Sequence, residues 1–164
     1  MTRIKGSVVT SVVFLGGLLA FSGSTRSAFA QSDPAVGSWK LNVGKSRYSP
    51  GPAPKSQTVT ITAAGNGIRV SAKGVDGDGK ATSTEYTASY DGKDVPVMFN
   101  LAYDVTSLKR IDAHTSELAR KKGGKVVQTA RRVISADGKT MTTTTTGVDD
   151  KNRKVDNVAV YDKQ

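Results

Sequence analysis

The chain has 164 residues, with 24 lysines and arginines against 14 aspartates and glutamates, a formal charge of +10. It contains no cysteine, which excludes thiol catalysis, cysteine-bound zinc, iron–sulfur clusters and disulfides. Its one histidine, His114, lacks the companions that a histidine metal site or a catalytic triad requires.

The first thirty residues stand apart. Met1-Thr2-Arg3-Ile4-Lys5 forms a short basic head, followed by the apolar run GSVVTSVVFLGGLLAF and by SGSTRSAFA, which closes on Ala28-Phe29-Ala30. A basic head, a short apolar segment and small residues three and one before a cut describe a secretory signal peptide, with cleavage expected after Ala30. The apolar run is shorter than the roughly twenty residues a helix needs to cross a bilayer core. The expected product is one domain, residues 31–164, in the periplasm or secreted. Arg3, Lys5 and Arg26 leave with the signal, so 21 basic residues face 14 acidic ones, a net charge of +7. A domain of this size buries about two thirds of its unfolded surface, enough for a core without disulfides.

From Gln57 onward the pattern is alternation. Val59 and Ile61 alternate with threonines, and Ile68, Val70 and Ala72 alternate with Arg69, Ser71 and Lys73. Period two with β-branched residues predicts half-buried strands. Turn signals separate the runs: Gly65-Asn66-Gly67, Asp76-Gly77-Asp78-Gly79, Asp91-Gly92, Gly123-Gly124, Asp137-Gly138 and Asp149-Asp150-Lys151-Asn152. About nine strands are expected, over residues 36–42, 55–63, 67–75, 81–90, 104–111, 115–122, 125–135, 139–147 and 154–162. The two long connections are 43–54, kept extended by Pro50, Pro52 and Pro54, and 91–103. An antiparallel meander of this length closes into an up-and-down barrel, because closure removes exposed edges. A two-sheet sandwich is the alternative, and it usually needs longer crossovers.

The first strand carries Gly37-Ser38-Trp39 and the last ends in NVAVYDKQ. With these features the chain resembles the lipocalin and fatty-acid-binding barrels, and among them the simpler lipocalin-like barrels of exported bacterial proteins. The resemblance implies that Trp39 packs across the closed end of the barrel and that small molecules bind in the lumen. The fatty-acid-binding proteins hold a ligand carboxylate with Arg-x-Tyr on the final strand. Here the triplet is Ala159-Val160-Tyr161, with the tyrosine present and the arginine absent.

The segment ARKKGGKVVQTARR, residues 119–132, bears six positive residues and no acid. Neighbours on a regular strand face opposite ways, so one of Arg131 and Arg132 points inward. If Val127 and Val133 face the core, Arg131 joins them; if Val126 and Ile134 do, Arg132 does. A buried guanidinium needs a partner, so the inward arginine should meet a lumen tyrosine, a carboxylate or an anionic guest.

The chain has no Gly-x-Ser-x-Gly nucleophile elbow. VDGDGK lacks the later ligands of a calcium loop, since position twelve is Thr87, and reads as a hairpin turn. The run TMTTTTTG reads as a strand. Residues 104–160 hold no aromatic to stack on a base, which argues against nucleic acid. The expected function is binding of a small amphipathic or anionic ligand, without enzymatic activity, cofactor or metal. Trp39 would form the base of the lumen, and Arg131 or Arg132 with Tyr86, Tyr90 and Tyr161 would supply polar contacts. The alternative is an envelope-associated protein whose basic hairpin meets an anionic polymer or lipid and whose barrel is filled.

Overall fold

The structure, a computed structural model, describes residues 33–164; the expected signal peptide and its cleavage point lie outside them. Ten strands follow one another: β1 (Gly37–Leu41), β2 (Ser56–Ala64), β3 (Gly67–Val75), β4 (Ala81–Ser89), β5 (Asp91–Pro96), β6 (Val105–Arg110), β7 (Thr115–Lys122), β8 (Lys125–Ile134), β9 (Thr140–Val148) and β10 (Lys154–Lys163). They form one antiparallel sheet in the order β4-β3-β2-β1-β10-β9-β8-β7-β6-β5. The first and last strands are thus hydrogen-bonded neighbours, with Trp39 opposite Lys163 on one side and Val59 on the other. The remaining seam, between β4 and the segment after β5, is bridged by Glu85 and Met98, each amide bonding the other's carbonyl. The expected antiparallel up-and-down barrel is what the chain forms, rather than a sandwich.

One strand was not expected. β5 lies within the predicted connection 91–103, and its sequence, DGKDVP, carries only Val95 as a strand-forming apolar residue. It pairs regularly only with β6, with a bulge between Asp91 and Asp94. Such one-sided pairing needs neither two apolar faces nor a donor at every residue, which is why Pro96 is tolerated at its end.

Period-two burial gives the barrel its inside. Along β8, Gln128, Ala130, Arg132 and Ile134 are buried while Thr129 and Arg131 are exposed. Val59 and Ile61 on β2, Ile68 and Val70 on β3, and Tyr86 and Ala88 on β4 extend the same interior. With the outer face carrying threonine, lysine and arginine, the polarity is the reverse of a barrel exposed to lipid tails. Gly147 on β9 sits opposite Gln128 at φ +137°, and a Cβ there would lie 2.1 Å from the Val127 carbonyl oxygen. Only glycine lets β8 and β9 approach so closely beside the bulge at Arg120/Lys121.

The two ends differ. One is closed by residues 33–36, which fold across it: the Asp33 carboxylate accepts from Ala35 N, and Ala35 O accepts from Trp39 Nε1 at 2.9 Å. The Trp39 ring is fully buried, with Lys163 Nζ 5.1 Å from its centre. The other end is framed by the 42–55 connection, the β3–β4 turn, the β5–β6 loop, the β7–β8 tip and the β9–β10 turn. The first of these, expected to run extended, instead contains a 3-10 turn, Val43–Lys45, because the Asn42 side chain accepts from Lys45 N, then a bridge from Arg47 to Val158 and bends at residues 49–51. The β3–β4 turn is the hairpin expected of VDGDGK, its Asp76 side chain bonding Lys80 N.

Candidate functional site

Inside the open end lies a cavity of about 250 Å³. Valines, alanines and Met141 supply part of its wall, and Tyr48, Tyr86, Tyr103, Tyr161, Gln57, Gln128, Asn100 and Asn157 supply polar groups. Two guanidinium groups, Arg120 and Arg132, reach the same wall, and among the described residues no aspartate or glutamate does. This partly polar lumen follows from a chain poor in leucine and phenylalanine, where threonine and tyrosine fill positions that larger apolar residues take elsewhere.

Arg132 is the deepest charge, 5% exposed. Its Nη2 donates to Tyr86 Oη at 3.2 Å, whereas Nε and Nη1 are buried with no hydrogen-bond partner among the described residues. Burial works against the guanidinium charge, the neighbouring Tyr86 works for it, and the net shift is upward, so the charge persists inside the barrel. Placing an ionised group there with two donors idle is costly. The open parity question is thereby settled: Ile134 faces the core and takes Arg132 with it. Val126, expected to face the core with Ile134, is exposed, because Val127 next to it is the extra residue of a bulge, Arg120 pairing with Gln128 but Lys121 with Val126.

Nearer the mouth, Arg120 donates to Gln128 Oε1 at 3.0 Å and stacks 4.9 Å above the Tyr103 ring. The Gln128 amide donates in turn to Val148 O. Tyr161 is buried, and its hydroxyl donates to Gln57 Oε1 at 2.6 Å. Burial drives the Tyr161 hydroxyl far above its usual range and that of Tyr48 up to about 12, so both stay protonated as donors.

Of the six side chains expected at the site, Arg132, Tyr86 and Tyr161 meet at this cavity. Three stand elsewhere. Arg131 is on the outer face, its Nη1 donating to Glu117 on the neighbouring strand β7 at 3.0 Å, because it has the opposite parity to Arg132. Trp39 closes the far end, as the resemblance implied, and does not line the cavity. Tyr90 is also at the closed end: its hydroxyl donates to Asp33 Oδ2 at 2.6 Å while Arg110 covers its ring at 3.7 Å and reaches the same carboxylate. Tyr48, Tyr103 and Arg120 were missed. Arg120 was within reach, since Leu118 on β7 is an inward residue and Arg120 shares its parity. Tyr48 and Tyr103 sit in connections, where no periodicity says which way a side chain turns.

No known family model matches this chain, and no curated protein does. Among solved structures, it is similar to zebrafish ileal bile acid-binding protein complexed with cholic acid, at 10% identity and a TM-score of 0.47, covering 80% of this chain and 99% of that one. The barrel assignment rests on the strand order and pairing of this chain itself.

Proposed function

We propose that this protein is an exported carrier, periplasmic or secreted, that holds a small anionic amphiphile in its lumen. The observation that carries this reading is Arg132: a buried charge with two unpartnered donors beside a cavity whose wall has a second arginine and no acid. An anionic head group would satisfy Nε and Nη1 and replace the missing counter-charge. Val59, Val70, Ala72 and Met141 would receive its apolar part. A volume of about 250 Å³ lies just under the ~300–1,000 Å³ span of drug-sized pockets, which suits a short guest. Export is supported by the order of basic head, apolar run and Ala28-Phe29-Ala30 in the sequence.

The test pairs native mass spectrometry of protein taken from its own envelope fraction with calorimetry of octanoate against octanol. Wild-type protein should carry a stoichiometric small molecule and prefer the carboxylate. Arg132→Met should lose that preference by about tenfold or more, the worth of a hydrogen bond to a charged group. A bare native chain, together with equal octanoate binding by the variant and wild type, would sink the reading.

A further inference from the structure

The loop between β5 and β6, residues 97–104, presents the two most exposed large apolar side chains of the described residues, Leu101 at 82% and Phe99 at 69%, with Met98 beside them at 50%. The loop is tied down. Met98 pairs with Glu85 of β4 through two backbone hydrogen bonds. The Asn100 side chain turns inward, donating to Thr84 Oγ1 and accepting from the amides of Ala102 and Tyr103. Its two neighbours, Phe99 and Leu101, are thereby held outward. Phe99 has φ +63°, a left-handed conformation that a bulky side chain rarely adopts. Strain accepted to keep a phenylalanine in water calls for a use.

Beside this loop stands the β7–β8 tip, where Asp104 N bonds Lys121 O and Asp104 Oδ2 receives Gly123 N. The tip carries exposed Lys122 and Lys125 and exposed Val126. Lys122 Nζ is 3.9 Å from Asp104, and Lys125 makes no ion pair among the described residues. An apolar wedge flanked by lysines, on a domain carrying +7 over residues 31–164, matches an interface that is apolar below and negative at its surface. A second copy of the chain is disfavoured as the occupant, because it would bring the same positive charge to the contact.

We propose that the open rim docks on lipid bilayers bearing anionic headgroups, with Phe99 and Leu101 entering the headgroup boundary and Lys122 and Lys125 meeting the anionic surface. This goes beyond guest binding and does not depend on it. The residues involved are distinct from Arg132, so failure of one reading leaves the other standing.

The experiment is co-sedimentation of the mature protein with vesicles of phosphatidylcholine and phosphatidylglycerol, against phosphatidylcholine alone. Binding is expected to the anionic vesicles and to weaken as salt rises. Phe99→Gly combined with Leu101→Ser should reduce it about tenfold or more, as should Lys122→Glu combined with Lys125→Glu. Phe99→Gly alone removes the strained conformation, so its melting temperature should hold or rise while docking falls, separating docking from folding. As a direct readout, Leu101→Trp should show blue-shifted emission on adding anionic vesicles, the buried Trp39 serving as a constant background. Unchanged vesicle binding by both double variants overturns the proposal. So does equal binding to neutral vesicles, or self-association abolished by Phe99→Gly in place of vesicle binding.

Discussion

Arg132 on β8 and Tyr86 on β4 meet across the lumen, Nη2 to Oη at 3.2 Å, although they lie 46 residues apart and on strands far apart in the sheet order. The hydroxyl is the only hydrogen-bond partner this buried guanidinium has among the described residues.

That dependence predicts unequal effects for two single substitutions. Tyr86→Phe strips Arg132 of its last partner and should destabilise the domain by about 1–3 kcal/mol. Arg132→Met removes the uncompensated charge, and should cost less or stabilise. In the double variant the Tyr86→Phe penalty should largely vanish. Urea midpoints of the four proteins decide it, and additive effects would mean the pair is uncoupled.

At the closed end, Asp33 predicts part of the acid limb. Burial alone would raise its pKa, but hydrogen bonds from Tyr90, Ala35 and Arg110 and the charge of Arg110 outweigh it, and the net shift is downward. A carboxyl with a lowered folded pKa contributes stability that is present above its unfolded value, about 3.9, and lost as pH falls through the folded one. Asp33→Asn should therefore lower stability at neutral pH and flatten the loss below about pH 4. Parallel acid curves for variant and wild type would count against the linkage.

The tyrosines predict the alkaline side with the opposite sign. Burial raises the hydroxyls of Tyr48, to about 12, and of Tyr90 and Tyr161. Their contribution is complete below the unfolded value near 10 and declines as pH rises through the folded values. Thermal melts should hold up to about pH 10 and fall beyond it, with Tyr161→Phe showing a shallower decline.

Gly147 predicts a backbone effect. A methyl group there would lie 2.1 Å from Val127 O, at a φ that L side chains rarely adopt. Gly147→Ala should destabilise by about 3 kcal/mol or more, and hydrogen exchange should rise along the β8–β9 ladder first. A variant as stable as wild type would show that β9 can shift freely.

By itself the sequence determined the barrel. Alternating β-branched residues and glycine-aspartate turns specify strands and hairpins locally, and nine of the ten strands lie close to where periodicity puts them. The weak strand β5 escaped because its pairing with β6, not its own residues, makes it a strand. Parity likewise forces one arginine of the Arg131-Arg132 pair inward, but which one depends on register. The bulge opposite Arg120/Lys121 turns Val126 outward, so that only Ile134 marks the inward side, and a bulge is a property of two strands together. The same holds for the companions of Arg132. That Tyr86 reaches it, that Tyr90 instead turns to Asp33 at the closed end, and that Tyr48 and Tyr103 fold in from connections are outcomes of curvature and closure. Local sequence makes neighbouring residues face opposite sides of the sheet, and only the closed barrel sets which side each takes and what it meets there.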